Sequence, residues 1–506
     1  MSIVRRPRAL GVDVGSVLNL VGAVLKYLGA AFLLPAAVAV GYGEPFWPFL
    51  AAAAITTGTG LLVERATQGK ERVGPREGFL VVALTWLAIP AFGALPYLFA
   101  DEPQLARPVD AYFEAMSGFT ATGATLLTDI EALDRSLAMW RQFTQWLGGM
   151  GIIILAVAVL PRLRIGGRQL FQSELAGPDE VERLTATIRE TARRLWVLYV
   201  ALTLTAIVVL TAYGWTGADP AMGLYEATAQ AFSTLSIGGF STQEESVAAF
   251  GAVTQWTIVV FLLLAGINFL RLYLALVRRR AHAVARDEEF RLYLAFAAAG
   301  SALLLVELLA GDLAGGEEAV REAVFQAVSI MTTAGFASTD YTAWSPLAEL
   351  TLLVLMFLGA SAGSTGGSIK VVRHLLMFRI IRRELEQTVH REVIVPVRLN
   401  TAVVEDRALR GVVAFIVLYV GLFALGALGL LVDAKRAALE VASFEALGAA
   451  AACLGNVGPA FGFAGPFGSY EPFSDLSTGV LTGLMWLGRL EIIPVAVLLT
   501  RSYWRA

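Results

Sequence analysis

Long apolar runs alternate along this chain with short polar interruptions, and the runs themselves come in two lengths. Phe79 to Ala100, Leu195 to Gly214, Trp256 to Val277 and Gly411 to Val432 are long enough to cross hydrocarbon as helices. Two more such runs, Val17 to Val40 and Phe46 to Val63, precede them. Between crossing runs lie shorter, moderately apolar segments that end in glycine-bearing turns. The pattern predicts an all-α polytopic membrane protein of about ten spans. Composition agrees: of 506 residues, 57% are hydrophobic and only 16% are charged, against roughly 25% in soluble domains.

The polar interruptions sort by charge. Basic ones hold Arg65, Lys70, Arg72 and Arg76, then Arg162, Arg164 and Arg168, then Arg183, Arg189, Arg193 and Arg194, and Arg278 to Arg280. The richest runs from Arg373 to Arg398, and the chain ends with Arg501 and Arg505. The alternating set is acidic, with Asp101, Glu102, Asp129, Glu131, Glu244, Glu245, Asp312, Glu317 and Glu318. Lys and Arg in short loops mark the cytoplasmic side, so both termini are expected inside and the acidic loops outside. Arg5, Arg6 and Arg8 read as a cytoplasmic tail without a cleaved signal peptide. The net charge of −3 matters less than this distribution.

An internal repeat underlies the pattern. Four times an aromatic residue, Glu or Gln, and Ala stand between two spans: Phe113-Glu114-Ala115, Tyr225-Glu226-Ala227, Phe325-Gln326-Ala327 and Phe444-Glu445-Ala446. Each opens a segment too short to cross the membrane, and each segment ends in a turn: TATGA, SIGGF, TTAGF and GNVGPAF. A span with its own marker glycine follows every time, at Gly148, Gly266, Gly359 and Gly488. The unit is span, half-helix, turn, span, giving an N-terminal two-helix segment (1–76) and four units (77–170, 171–285, 286–400 and 401–506). Four such units, all parallel, are expected around a pseudo-fourfold pore.

The turns must then lie at membrane depth, where non-helical backbone is tolerated only if buried or lining a water-filled cavity. Four turns facing one another would offer rings of carbonyls that replace a cation's hydration shell. Glycine permits the required backbone dihedrals. The acid or amide near each half-helix start is expected to suit the positive end of its dipole, leaving the negative end toward the ion. Ordinary re-entrant turns packed by small residues are the plainer account of any single turn, but four in register argue against it.

Other classes fit less well. Coupled secondary transporters usually carry inverted repeats, whereas these are parallel. A membrane enzyme needs a catalytic constellation; the only cysteine, Cys453, and three scattered histidines supply none. A lone cysteine also excludes an intrachain disulfide.

Several segments resemble the TrkH/KtrB superfamily of potassium uptake proteins: GFTATGATLL, WRQFTQWLGGMGIIILAVAVLP, STLSIGGFST, GASAGSTGGSIKVVRHLL and GRLEIIPVAVLLTRSYWR. The two extra N-terminal spans place it nearest the TrkH branch. The resemblance implies potassium as the transported ion, channel-like conduction or ion-coupled symport, a bacterial inner-membrane location, a homodimer, and a cytoplasmic nucleotide-binding ring of the TrkA type. No nucleotide or nucleic acid is expected on this chain itself, only membrane lipid around it.

Carried over by position, the filter falls on Ala121, Thr122 and Gly123, on Thr333, Ala334 and Gly335, and on Asn456, Val457 and Gly458. The second set is Ser236, Ile237 and Gly238, or lies one residue later and includes Gly239. Glycine at 123 favours potassium, since related plant transporters that favour sodium carry serine there.

Arg489 sits in mid-span, where an unpaired charge is costly. It reads as a fixed cation under the filter, or as half of a structural pair with Glu491 or a carbonyl. Small residues from Gly359 through Gly363, Gly366 and Gly367 to Ser368 disfavour a continuous helix. They suit a movable loop below the filter, although such residues also serve helix packing. Lys370 follows and can pair with carbonyls there. Arg382, Arg383 and Arg391 lie in the longest basic stretch, the expected landing site of the nucleotide-binding ring.

Overall fold

The computed structural model describes residues 12–67, 74–154 and 188–505. Arg5, Arg6, Arg8, Lys70, Arg72, Arg162, Arg164, Arg168 and Arg183 lie outside them, as does the 170/171 boundary.

The chain opens with α1 (Val14–Ala31), α2 (Leu33–Tyr42) and α3 (Trp47–Ala66). Helices α1 and α3 cross closely because Gly22 and Gly60 face each other. A Cβ on Gly60 would stand 2.6 Å from the Gly22 oxygen, so only small residues let these backbones meet. Lys26 and Glu64 pair at 2.7 Å across the same contact.

Four short helices of 12 to 17 residues follow, each ending at one of the glycine-bearing turns. Helix α5 (Pro108–Phe119) lies between α4 (Pro75–Gly93) and α6 (Arg135–Ile154). Helix α7 (Ile188–Thr216) precedes α8 (Leu224–Ser236), and α9 (Ala252–Ala265) and α10 (Phe269–Leu276) come after it. Next come α11 (Glu288–Ala310), α12 (Gly316–Thr332), α13 (Pro346–Leu358) and α14 (Val371–Val389). Last come α15 (Asp406–Ala437), α16 (Ser443–Gly455) and α17 (Asp475–Arg489). A two-residue hairpin, Arg398–Leu399 against Ala402–Val403, is the described β-structure.

Among the described residues, five helical stretches are long and apolar enough to cross a membrane unaided, six if the bent α9–α10 pair counts as one. That is fewer than the ten spans expected, and part of the difference has a local cause. In the second and third units the helix after the short helix is interrupted. Helices α9 and α10 meet at 108°, and α13 stops at Gly359, whose φ of +66° ends the helical path. Large apolar side chains face outward on the long helices, among them Val208, Val306, Val417 and Leu428. A lipid-facing belt requires this; a water-facing surface disfavours it.

Contacts between distant segments sort the loops onto two faces. On one, Arg107 pairs with Asp475, Glu44 accepts from the amides of Arg135 and Ser136, and Tyr225 donates to the Arg135 carbonyl. On the other, Asp13 N donates to Glu77, Arg76 to the Arg505 carbonyl, and Asn400 N to Glu288. The start of the described chain, its C-terminal segment and the foot of α4 therefore share a face.

Candidate functional site

The four short helices end in turns of one backbone form. Ala121, Ile237, Thr333 and Asn456 each adopt positive φ, between 50° and 74°, and a glycine of positive φ follows two residues later, at Gly123, Gly239, Gly335 and Gly458. This settles the register of the second turn. Its triplet is Ile237, Gly238 and Gly239; Ser236 is the last residue of α8 and corresponds to Thr332 at the end of α12.

The same register corrects the repeat motif. Nine residues before the turn glycine stand Glu114, Gln230, Gln326 and Ala449. Glu226 and Glu445 lie one helical turn earlier than the residues they resemble in sequence. They occupy the first turn of their helices, where a carboxylate suits the dipole. Glu114 and Gln326 sit deeper and do different work. Glu114, Gln230 and Gln326 are fully buried. Glu114 accepts from Thr125 Oγ1 at 3.0 Å, Gln230 donates to Ser241 Oγ at 2.9 Å, and Gln326 donates to Ser338 Oγ at 3.4 Å. Each ties its helix to the chain leaving the turn.

The turns close on one another. A Cβ built on Gly123 would overlap the Gly238 oxygen, one on Gly239 the Ala334 oxygen and one on Gly335 the Val457 oxygen. Gly458 completes the cycle, its Cβ position lying 2.5 Å from the Thr122 oxygen. Thr122, Gly238, Ala334 and Val457 are thus equivalent, and each turn presses its glycine against the next turn's middle carbonyl.

Among the described residues, ten of the twelve carbonyls in these triplets accept no hydrogen bond; the exceptions are Gly238, held by Gln145, and Gly458, held by Tyr470. The residues are buried or half-buried, and leaving a buried acceptor unpaired costs ~1–3 kcal/mol. So many free carbonyls in one ring call for water or a cation. The C-termini of all four short helices add partial negative charge beside them. A vestibule of about 220 Å³ opens above the ring, with Gly123, Gly239, Gly335 and Glu244 in its wall. It has room for a hydrated ion.

Beneath the ring, residues 359–370 separate α13 from α14 as a buried loop. Ser361 N donates to the Gly266 carbonyl at 3.0 Å, Ala362 N to Glu289 at 2.7 Å, Phe269 N to the Gly363 carbonyl at 3.1 Å, and Gly367 N to Thr333 Oγ1 at 2.7 Å. Thr365 Oγ1 donates to the Leu235 carbonyl at 3.1 Å. Gly366 and Gly367 lie against the Thr332 and Gly455 carbonyls, with no space for a Cβ. Lys370, buried at the start of α14, donates back to the Gly366 carbonyl.

Arg489 is 2% exposed. Its guanidinium donates to the Thr365 and Gly148 carbonyls, each at 3.0 Å, and so links the loop to α6. Of the two partners expected, it takes carbonyls; Glu491 pairs with Arg373 at 2.5 Å instead. Of the docking candidates, Arg382 is exposed and pairs with Glu386, and Arg391 is exposed. Arg383 is bonded to Asp406 at 2.8 Å and is the least free of the three.

Sequence reasoning missed several side chains that brace the turns. Arg141, fully buried, pairs with Glu114 at 2.8 Å, reaches Thr125 and the Ser241 carbonyl, and lies 4.1 Å over the Phe240 ring. Gln145 and Tyr470, which hold the Gly238 and Gly458 carbonyls, were missed as well, as were Asn268 and Glu289, which hold Ala362 of the loop. A charge within an apolar run marked Arg141; nothing local marked the others.

The family of TrkH cation transport proteins matches residues 49–505. The Trk system potassium uptake protein TrkH of Halomonas elongata is 35% identical over 492 residues, covering 97% of this chain and 99% of its own. The protein of that name from Escherichia coli K12 is 34% identical over 497 residues, with the same coverage. Among solved structures, the crystal structure of the potassium transporter TrkH from Vibrio parahaemolyticus superposes with a TM-score of 0.86 at 33% identity, covering 98% of this chain and 100% of its own. These relatives are transporters, not enzymes.

Proposed function

The chain belongs to the TrkH family of cation transport proteins, and on that premise we propose that it takes potassium into the cell through the ring of four turns. The observation that carries this reading is the closed cycle of buried turns, in which ten of the twelve triplet carbonyls have no hydrogen-bond donor among the described residues, an arrangement that suits a dehydrated monovalent cation. Four parallel units of span, short helix, turn and span surround a pseudo-fourfold axis, and α1 to α3 stand beside them as the N-terminal segment. We set the boundaries of the units at 77–170, 171–285, 286–400 and 401–506, as the sequence repeat suggests.

The face carrying Asp13, Arg76 and Arg505 is cytoplasmic, which agrees with its basic residues, and the vestibule opens outside the inner membrane. The loop at 359–370, latched by Arg489 and Lys370, forms a barrier beneath the ring. Helix α14 begins where the loop ends. A cytoplasmic nucleotide-binding ring of the TrkA type docking near Arg382, Arg383 and Arg391 would pull on the loop through that helix. The protein works as a homodimer.

The test is cation flux into proteoliposomes containing only the purified chain, for the parent and for Gly123→Ser. At a φ of +88° and with no room for a Cβ, serine must displace the Gly238 carbonyl. Preference for potassium over sodium should fall about tenfold, or ~1.4 kcal/mol. A parent chain that passes no potassium, or a Gly123→Ser variant with the parent's ratio, would overturn the reading.

A further inference from the structure

We propose that Gln145 is a positioning residue for ion selectivity, fixing one of the four middle carbonyls, that of Gly238, in a direction of its own. The inference rests on reading the turns as an ion filter. Gln145 projects from α6 and is fully buried. Its Nε2 donates to the Gly238 oxygen at 2.6 Å, and its Oε1 accepts from Phe240 N at 3.1 Å. A carbonyl can only accept and an amide N–H can only donate, so the two contacts fix which end of the side chain is which. The amide spans Gly239 and holds the second turn at two points.

The other three middle carbonyls, on Thr122, Ala334 and Val457, have no donor among the described residues. Those three residues all bear side chains, whereas Gly238 bears none. The structure supplies the reason: a Cβ on Gly238 would overlap the Gln145 carboxamide. Gln145 therefore occupies the space that a side chain fills in the other turns. The fourth unit offers a control. Gly148 and Gly488 play the same part, each leaving no space for a Cβ against a carbonyl four residues before its turn glycine, Phe119 and Leu454. Three residues before Gly488, in the place of Gln145, stands Met485; since Gln145 acts on the turn after its own, the turn matched with Met485 is the first, whose middle residue is Thr122.

Without its amide bond, a glycine carbonyl is the freest of the four to swing. With it, one lone pair is committed and the direction is set, so the ring resists contracting around a smaller ion. Selectivity is then decided partly at one seam, between the first and second turns, rather than equally by four equivalent ligands.

The experiment measures potassium-to-sodium flux ratios in proteoliposomes for the parent, Gln145→Met, Gln145→Met with Gly238→Ala, and Gly123→Ser. Methionine matches the volume and copies the fourth unit. The single variant should conduct potassium but lose discrimination by about fivefold, the worth of one ordinary hydrogen bond. Alanine at 238 then enters the vacated space and should restore part of the ratio. Should Gln145→Met fail to assemble, Gln145→Asn, too short to reach both contacts, gives the same reading. A parent-like ratio in Gln145→Met, with a lowered one in Gly123→Ser, overturns the role of Gln145 and leaves the filter reading intact. Parent-like ratios in both overturn the filter reading itself. A double variant no better than Gln145→Met shows that the glutamine does not act through the Gly238 carbonyl.

Discussion

The ring of turns and the loop beneath it are both irregular backbone buried at the centre of the protein, yet they are held in opposite ways. In the ring, backbone presses on backbone: each turn glycine meets the next turn's carbonyl, and the cycle closes on itself. Each member bears directly on its neighbour, and buried braces such as Arg141 with Glu114 back the ring from behind. The loop is held by separate hydrogen bonds to many elements: its amides donate to Gly266, Glu289 and Thr333, and Arg489 donates to its Thr365 carbonyl. Each is worth about 1 kcal/mol net, or ~1.5–3 kcal/mol where a charged group takes part, and can be exchanged singly for water or another partner. A packed ring has one arrangement; a hydrogen-bonded loop can have two of similar energy. Constant selectivity suits the first construction and a proposed barrier suits the second.

The comparison breaks first, and with the largest effect, at the brace. Arg141→Leu leaves Glu114 buried without its partner, which should cost about 3–5 kcal/mol. Thermal unfolding in detergent should show a large fall in Tm, with partial recovery when Glu114→Gln is added. A Tm like the parent's would mean that the ring does not depend on its backing.

The loop should respond differently. Arg489→Ala removes the link between Thr365 and Gly148, so basal potassium flux should rise severalfold, since a bond from a charged donor is worth ~1.5–3 kcal/mol, while the potassium-to-sodium ratio should stay within about twofold of the parent because no carbonyl of the turn triplets loses a partner. Unchanged flux in an assembled protein would remove the latch; a collapsed ratio would show that loop and ring are one unit.

The smallest effect concerns control. Reversing Arg382 and Arg391 to glutamate should weaken capture of a nucleotide-binding ring and blunt nucleotide-dependent flux, with basal flux and selectivity kept. Arg383 is better left alone, because its bond to Asp406 would confuse docking with packing. Full capture by the double variant would place the partner elsewhere.

Much of this was legible along the chain. Apolar run length marked the long helices, glycines marked the turns, and the small residues of 359–368 marked the broken helix. Three of the four triplets were placed in their geometric register, since a single glycine ends each turn. The second was not, because Gly238-Gly239 offers two choices and only backbone dihedrals separate them. The aromatic-acid-alanine motif misled for a related reason. The short helices differ in length before the turn, so similar letters at 113–115 and 225–227 lie one helical turn apart.

What the sequence determined by itself was therefore local: which stretches are apolar enough to leave water, where glycine breaks a helix, and how the charges divide between two sides. These follow from transfer energies and dihedral limits that act within a few residues. Tertiary structure decided what those pieces meet. Arg489 takes carbonyls from Thr365 and Gly148, more than a hundred positions away, while the nearby Glu491 goes to Arg373. Gln145 finds Gly238, and Glu289 finds Ala362. A buried donor or acceptor takes whichever partner packing brings within about 3 Å, and that choice is made only when the four turns close their ring.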